Sequence, residues 1–99
     1  MKLYKLNTIN QIIHCEVRRE TPTTYKYRWP NATCDWTVKK KNVDVVKENI
    51  HRITATSPKK LINLIVESLD AEIKLYKRRI DYLEVRKDGI EKIKHYEKD

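Results

Sequence analysis

Apolar and polar positions alternate with a period of two through much of the first half of the chain. In Gln11–Arg19 (QIIHCEVRR), Ile13, Cys15 and Val17 fall on one side and His14, Glu16 and Arg18 on the other. That alternation predicts a half-buried strand. Lys2–Leu6 (KLYKL) predicts a short strand before it. Thr24–Trp29 (TYKYRW) and Cys34–Lys40 (CDWTVKK) predict two more, with Cys34, Trp36 and Val38 on the inward side of the last. Between them stand Glu20-Thr21-Pro22-Thr23 and Pro30-Asn31-Ala32-Thr33, where each proline fixes its own φ and withholds a donor from any ladder. Closely spaced strands with short turns predict an antiparallel meander of three to five strands. Residues 42–53 fit a strand, a loop or a helical turn; the reading adopted is a loop or short strand, then a strand over Ile50–Thr56.

The second half changes to a helical period. Ser57 is placed to cap a helix, and Pro58 suits its first position, where the missing N–H has no intrahelical partner to lose. Neither Gly nor Pro then occurs until Gly89. Asp88-Gly89 predicts a stop, with Lys87 in the last turn, where the helix dipole favours a cation. The expected organisation is one α+β domain over 1–99, with a sheet half at 1–56 and a long helix at 57–88. A short terminal helix is expected at 90–96.

Within that helix, Ile62, Val66, Leu69, Ile73, Tyr76, Ile80 and Leu83 follow one another at alternating steps of four and three. This is a heptad seam with Val66, Ile73 and Ile80 at a and Leu69, Tyr76 and Leu83 at d. In parallel coiled coils, β-branched residues at a with leucine at d favour two strands. In such a pair Glu72 would meet Lys77, Arg79 would meet Glu84 and Arg86 would meet Glu91, each of opposite sign. Leu61, Leu64 and Ile65 widen the stripe at the helix start, as expected where it packs on its own sheet. Length argues that the rest seeks a partner. Pro58–Lys87 would run roughly 45 Å, against a radius of gyration of about 13 Å for a globule of this size. The reading is a homodimer, with a helix absorbed by its own domain as the alternative.

Composition narrows the picture. Ninety-nine residues, 39% hydrophobic and 36% charged, allow one modest core under a charged surface. No apolar run approaches the length of a membrane span, and the first residues show no secretory pattern, so a cytoplasmic protein is expected. Two cysteines, Cys15 and Cys34, do not make a disulfide framework. The formal net charge is +8. It is concentrated in residues 1–56, with eleven Lys and Arg against five Asp and Glu. Arg18, Arg19, Lys26, Arg28, Lys39, Lys40 and Lys41 form the candidate basic patch, suited to phosphates or to an acidic protein surface. In a strand, Tyr25, Tyr27 and Trp29 share one face and Lys26 and Arg28 the other. A helix over the aromatic face would bury the rings with Trp36, Val38, Ile13 and Val17, so the aromatics are expected in the core.

Chemistry adds little. His14, Cys15, Cys34 and His51 lack the paired spacing of a zinc site, so no metal or cofactor is expected. With a single glycine, at Gly89, there is no nucleophile elbow and no phosphate-cradling loop. The carboxylates Glu67, Asp70, Glu72, Asp81 and Glu84 are spread along the helix, so a non-enzymatic binding protein is expected.

The bias towards Lys, Ile, Asn and Tyr follows AT-rich codons. A short basic meander followed by ATSPKKLINLIVESL, opening one long helix, resembles the small early proteins of tailed bacteriophages. The resemblance covers the architecture of the whole chain. It implies a protein that docks on a host protein or ribonucleoprotein, such as a polymerase, nuclease, defence effector or toxin, and inhibits or redirects it. Direct nucleic-acid binding through the basic patch, or a structural role through the helix, are the alternatives.

Overall fold

The computed structural model of the protein describes residues 1–94. Four antiparallel strands, β1 (Lys2–Leu6), β2 (Ile12–Glu20), β3 (Thr24–Arg28) and β4 (Trp36–Lys39), pair in sequence order. One helix, α1 (Pro58–Lys94), follows. The fold is the expected α+β meander and helix. By its contacts the chain divides into two compact units, Met1–Leu69 and Asp70–Asp99.

The turns follow from local chemistry. At the β1–β2 turn the Asn7 side-chain oxygen accepts from the backbone N–H of Ile9 and Gln11, and Asn10 takes φ 61°. Asparagine tolerates that left-handed conformation. The Thr21 hydroxyl accepts from Thr24 N–H at 3.0 Å and closes the β2–β3 turn. Before β4, Asn31 at φ 62° makes the turn, with Ala32 N–H donating to the Trp29 carbonyl. β2 carries a bulge between Val17 and Arg19, which places Arg19 opposite Lys26.

The sheet is apolar on both faces, and each face has its own cluster. Leu3, Cys15 and Tyr27 are buried on one, with Ile13, Val17, Tyr25, Trp29, Val38 and Val43 against them. Tyr4 and Ile12, adjacent to Leu3 and Ile13 in sequence, point the other way. They pack on the second cluster of Ile53, Ala55 and Leu61, joined by Ile50, Leu64 and Ile65. The first turns of α1 therefore cover the Tyr4–Ile12 face. This corrects the expectation that the helix covers the tyrosines of β3. Burying Leu61 fully contributes on the order of 2 kcal/mol to that choice.

Ile50–Thr56 is not the expected strand, and the segment from Lys40 onward is irregular, as the loop reading of residues 42–53 allowed. It forms single 3-10 turns at Lys40–Asn42 and Ile50–Arg52. Two isolated bridges follow, Val43 with Thr54 and Tyr4 with Ala55. Tyr4 and Ala55 exchange both backbone hydrogen bonds, at 2.9 and 3.0 Å, so Ala55 satisfies the free edge of β1. Asp44 ties this segment to the helix start: its carboxylate accepts from Thr56 N–H and Thr56 Oγ1H, both at 2.8 Å, and lies 3.6 Å from Lys60 Nζ.

The helix starts as expected. Ser57 Oγ accepts from Lys60 N–H at 3.1 Å, and Pro58 is the first helical residue. Its expected end is corrected, because α1 runs without interruption through Gly89 to Lys94. Gly89 does not adopt the left-handed conformation that ends helices, and a Lys87–Glu91 pair at 3.8 Å spans it. Residues 90–94 of the expected terminal helix belong to α1, and 95–96 lie outside the described residues. A Cβ at Gly89 would meet nothing within 4 Å. Gly89→Ala should therefore stabilise the helix there by about 0.5–1 kcal/mol. Amide exchange over residues 85–93 should slow; faster exchange would place a helix end at Gly89.

Candidate functional site

Because α1 starts on the Tyr4–Ile12 face, the aromatic face is left partly open. Tyr27 is buried, Tyr25 and Trp29 are half-buried, and Trp36, directly opposite Tyr27 on β4, is 54% exposed. Its inward parity holds, but nothing covers it at the sheet edge, which corrects its expected place in the core. Cys34 is corrected too. It precedes β4 in a bend and is exposed, while Cys15 is buried, and both are free thiols.

The rings of Tyr27, Trp29 and Trp36, but not that of Tyr25, line a cleft of about 760 Å³ inside the Met1–Leu69 unit. Lys5, Tyr27, Trp29, Trp36 and Val38 line it from the sheet and the strand ends, and His51, Arg52 and Thr54 from the 3-10 turn and the residues after it. None of the side chains lining it is an Asp or Glu. A volume of this order accommodates a small ligand or one end of a larger one.

The buried end of the cleft is electrostatically tense. Lys5 is only 8% exposed, donates from Nζ to Thr54 Oγ1 at 2.8 Å, and sits 6.0 Å over the Tyr27 ring. Burial lowers its pKa, against the opposing attraction of Cys15. Burial raises the Cys15 thiol, with the Lys5 charge opposing. Burial also raises the Tyr27 phenol, reinforced by Cys15. His51 Nδ1 lies 3.3 Å from the Leu6 carbonyl, and His14 packs edge-on against Tyr4. Among the described residues neither imidazole is hydrogen-bonded to a thiol or hydroxyl, and no three His, Cys, Asp or Glu side chains are grouped as metal ligands.

The basic residues chosen from sequence separate into two kinds. Arg28 is bound by Asp35 at 2.7 Å. Lys40 lies 3.5 Å from Glu20 and 5.0 Å over the Tyr25 ring. Arg18, Arg19, Lys26, Lys39 and Lys41 are exposed, with no carboxylate within 4.0 Å among the described residues. Arg19 faces Lys26 across the ladder, a like-charge pairing that destabilises a sheet. An anion bound between them would relieve it.

The helix seam is exposed along its length. Val66 and Leu69, in the first unit, are exposed, and so are Ile73, Tyr76, Ile80 and Leu83 in the second. The continuation past Gly89 adds Ile90, exposed at the next d position. Leu61, by contrast, is buried and Leu64 and Ile65 are half-buried, as the wider stripe at the helix start implied. No described helix is long and apolar enough to cross a membrane.

Comparison with known proteins gives no match: no family model fits the chain, and no curated protein or solved structure is significantly similar to it.

The two thiols should behave differently. A thiol reagent should modify Cys34 quickly in the native protein and reach Cys15 only on unfolding, since burial both shields that sulfur and disfavours its thiolate. Two fast equivalents would contradict the burial of Leu3, Cys15 and Tyr27.

Proposed function

We propose that this protein is a non-enzymatic effector that pairs through its helix and docks on a host protein or ribonucleoprotein, inhibiting or redirecting it. The carrying observation is the row Ile73, Tyr76, Ile80, Leu83 and Ile90, every member exposed on an uninterrupted helix. Large apolar side chains at a and d have a hydrophobic reason to associate. The occupant is a second copy of the same helix. Glu72 with Lys77 and Arg79 with Glu84 would match in sign in a parallel pair, and so would Arg86 with Glu91, now on the same continuous helix. A homodimer presents two basic sheet units to one target, which raises avidity without a new contact. The resemblance to phage early proteins supports a host machine as that target.

Ile73→Asp with Ile80→Asp should abolish pairing. Light scattering on the full chain should give twice the monomer mass for the parent and one monomer mass for the double variant. The circular-dichroism signal of the strands should be retained. Equal masses for the two proteins would remove the seam as an interface.

A further inference from the structure

We propose that the cleft between Tyr27, Trp29 and Trp36 and the 51–54 segment binds single-stranded nucleic acid, with an unstacked base against the exposed indole of Trp36. The proposal is independent of the helix seam, because every residue lining the cleft lies in the Met1–Leu69 unit.

Three observations select this occupant. The first is the aromatic wall. Trp36 is exposed to 54% at the mouth of a cavity of about 760 Å³, and Trp29 is half-buried beside it. A flat π-surface left in water gains most from another flat π-surface, and bases offer one whatever their sequence. The second is charge. The cleft is lined by Lys5 and Arg52 and by no carboxylate, so an anionic ligand is favoured and a cationic one is repelled. Arg52 is exposed and has no carboxylate within 4.0 Å among the described residues, so its guanidinium is available to a phosphate. A neutral proline-rich peptide would use the rings but leave those cations without a role. The third is the setting. Residues 1–56 carry eleven Lys and Arg against five Asp and Glu. That excess draws a polyanion toward the unit as a whole, while Lys26 and Lys39 themselves project from the sheet face opposite the rings. Duplexes do not fit this scheme, because their bases are already stacked and their π-faces closed.

Titration of the full-length protein with a 12-nucleotide mixed-sequence single strand, followed by tryptophan fluorescence and by anisotropy of a labelled strand, tests the proposal. The single strand should quench the indole emission and bind at least roughly tenfold tighter than the duplex of the same sequence. Trp36→Ala should weaken binding by roughly tenfold or more, with the strand signal in circular dichroism retained, since Trp36 is not among the residues packed on the cluster of Leu3, Cys15 and Tyr27. Arg52→Gln should weaken it less and flatten its dependence on salt. Bound strand should also slow thiol modification of Cys34, which lines the same cleft. Unchanged affinity in Trp36→Ala would overturn the proposal, as would a preference for the duplex. So would quenching produced equally well by a proline-rich peptide or a mononucleotide at the same concentration.

Discussion

One constraint organises the Met1–Leu69 unit: its sheet is apolar on both faces, and a single helix start is available to cover them. Leu61, Leu64 and Ile65 take the face of Tyr4 and Ile12, together with Ile53 and Ala55. The aromatic face receives only Val43 and the chain around Thr54. That coverage buries Leu3, Cys15 and Tyr27 but ends before Trp36. The open cleft is thus the consequence of where the helix lands, and the anchor at Asp44, Thr56 and Lys60 decides where it lands. Two hydrogen bonds from Thr56 to one carboxylate fix the chain just ahead of the first helical turn.

The same placement sorts the charges. The parity of β3 keeps Lys26 and Arg28 off the aromatic face, so cations and rings do not interleave along that strand. The cations of the cleft come instead from β1 and the 3-10 turn at Ile50–Arg52. Lys5 is held inside by Thr54 and by the Tyr27 ring, at the expense of a desolvated ammonium. Arg52 stays at the surface. The aromatic wall and the charge of the cleft therefore come from elements far apart in sequence.

Much of the fold was legible because it rests on local rules. Alternation in Gln11–Arg19, turn residues at Pro22 and Asn31, and the Ser57-Pro58 start each act over a few positions, and each element formed where those rules place it. The heptad seam was equally readable, since its residues lie on one helix. The face chosen by the helix was harder to see. Tyr4 and Ile12 make an apolar patch only once β1 and β2 are paired, and that patch competes with the more conspicuous rings of β3. Residues 40–56 carry no period, because single-residue bridges and one-turn 3-10 helices need none. Gly89 misled for a related reason: glycine ends a helix only when the backbone turns left-handed, and here the helical hydrogen bonds and the Lys87–Glu91 pair carry on across it. The cleft was invisible at that level, since Arg52 and Trp36 come to line one cavity only in three dimensions.

The most direct measurement is of methyl and aromatic nuclear Overhauser contacts from Leu61 in the intact protein. The account predicts contacts to the cluster of Ile53, Ala55, Tyr4 and Ile12, and none to Val38 or Trp36. Contacts from Leu61 to Val38 and Trp36 would put the helix over the aromatic face, close the cleft and contradict the account at its foundation.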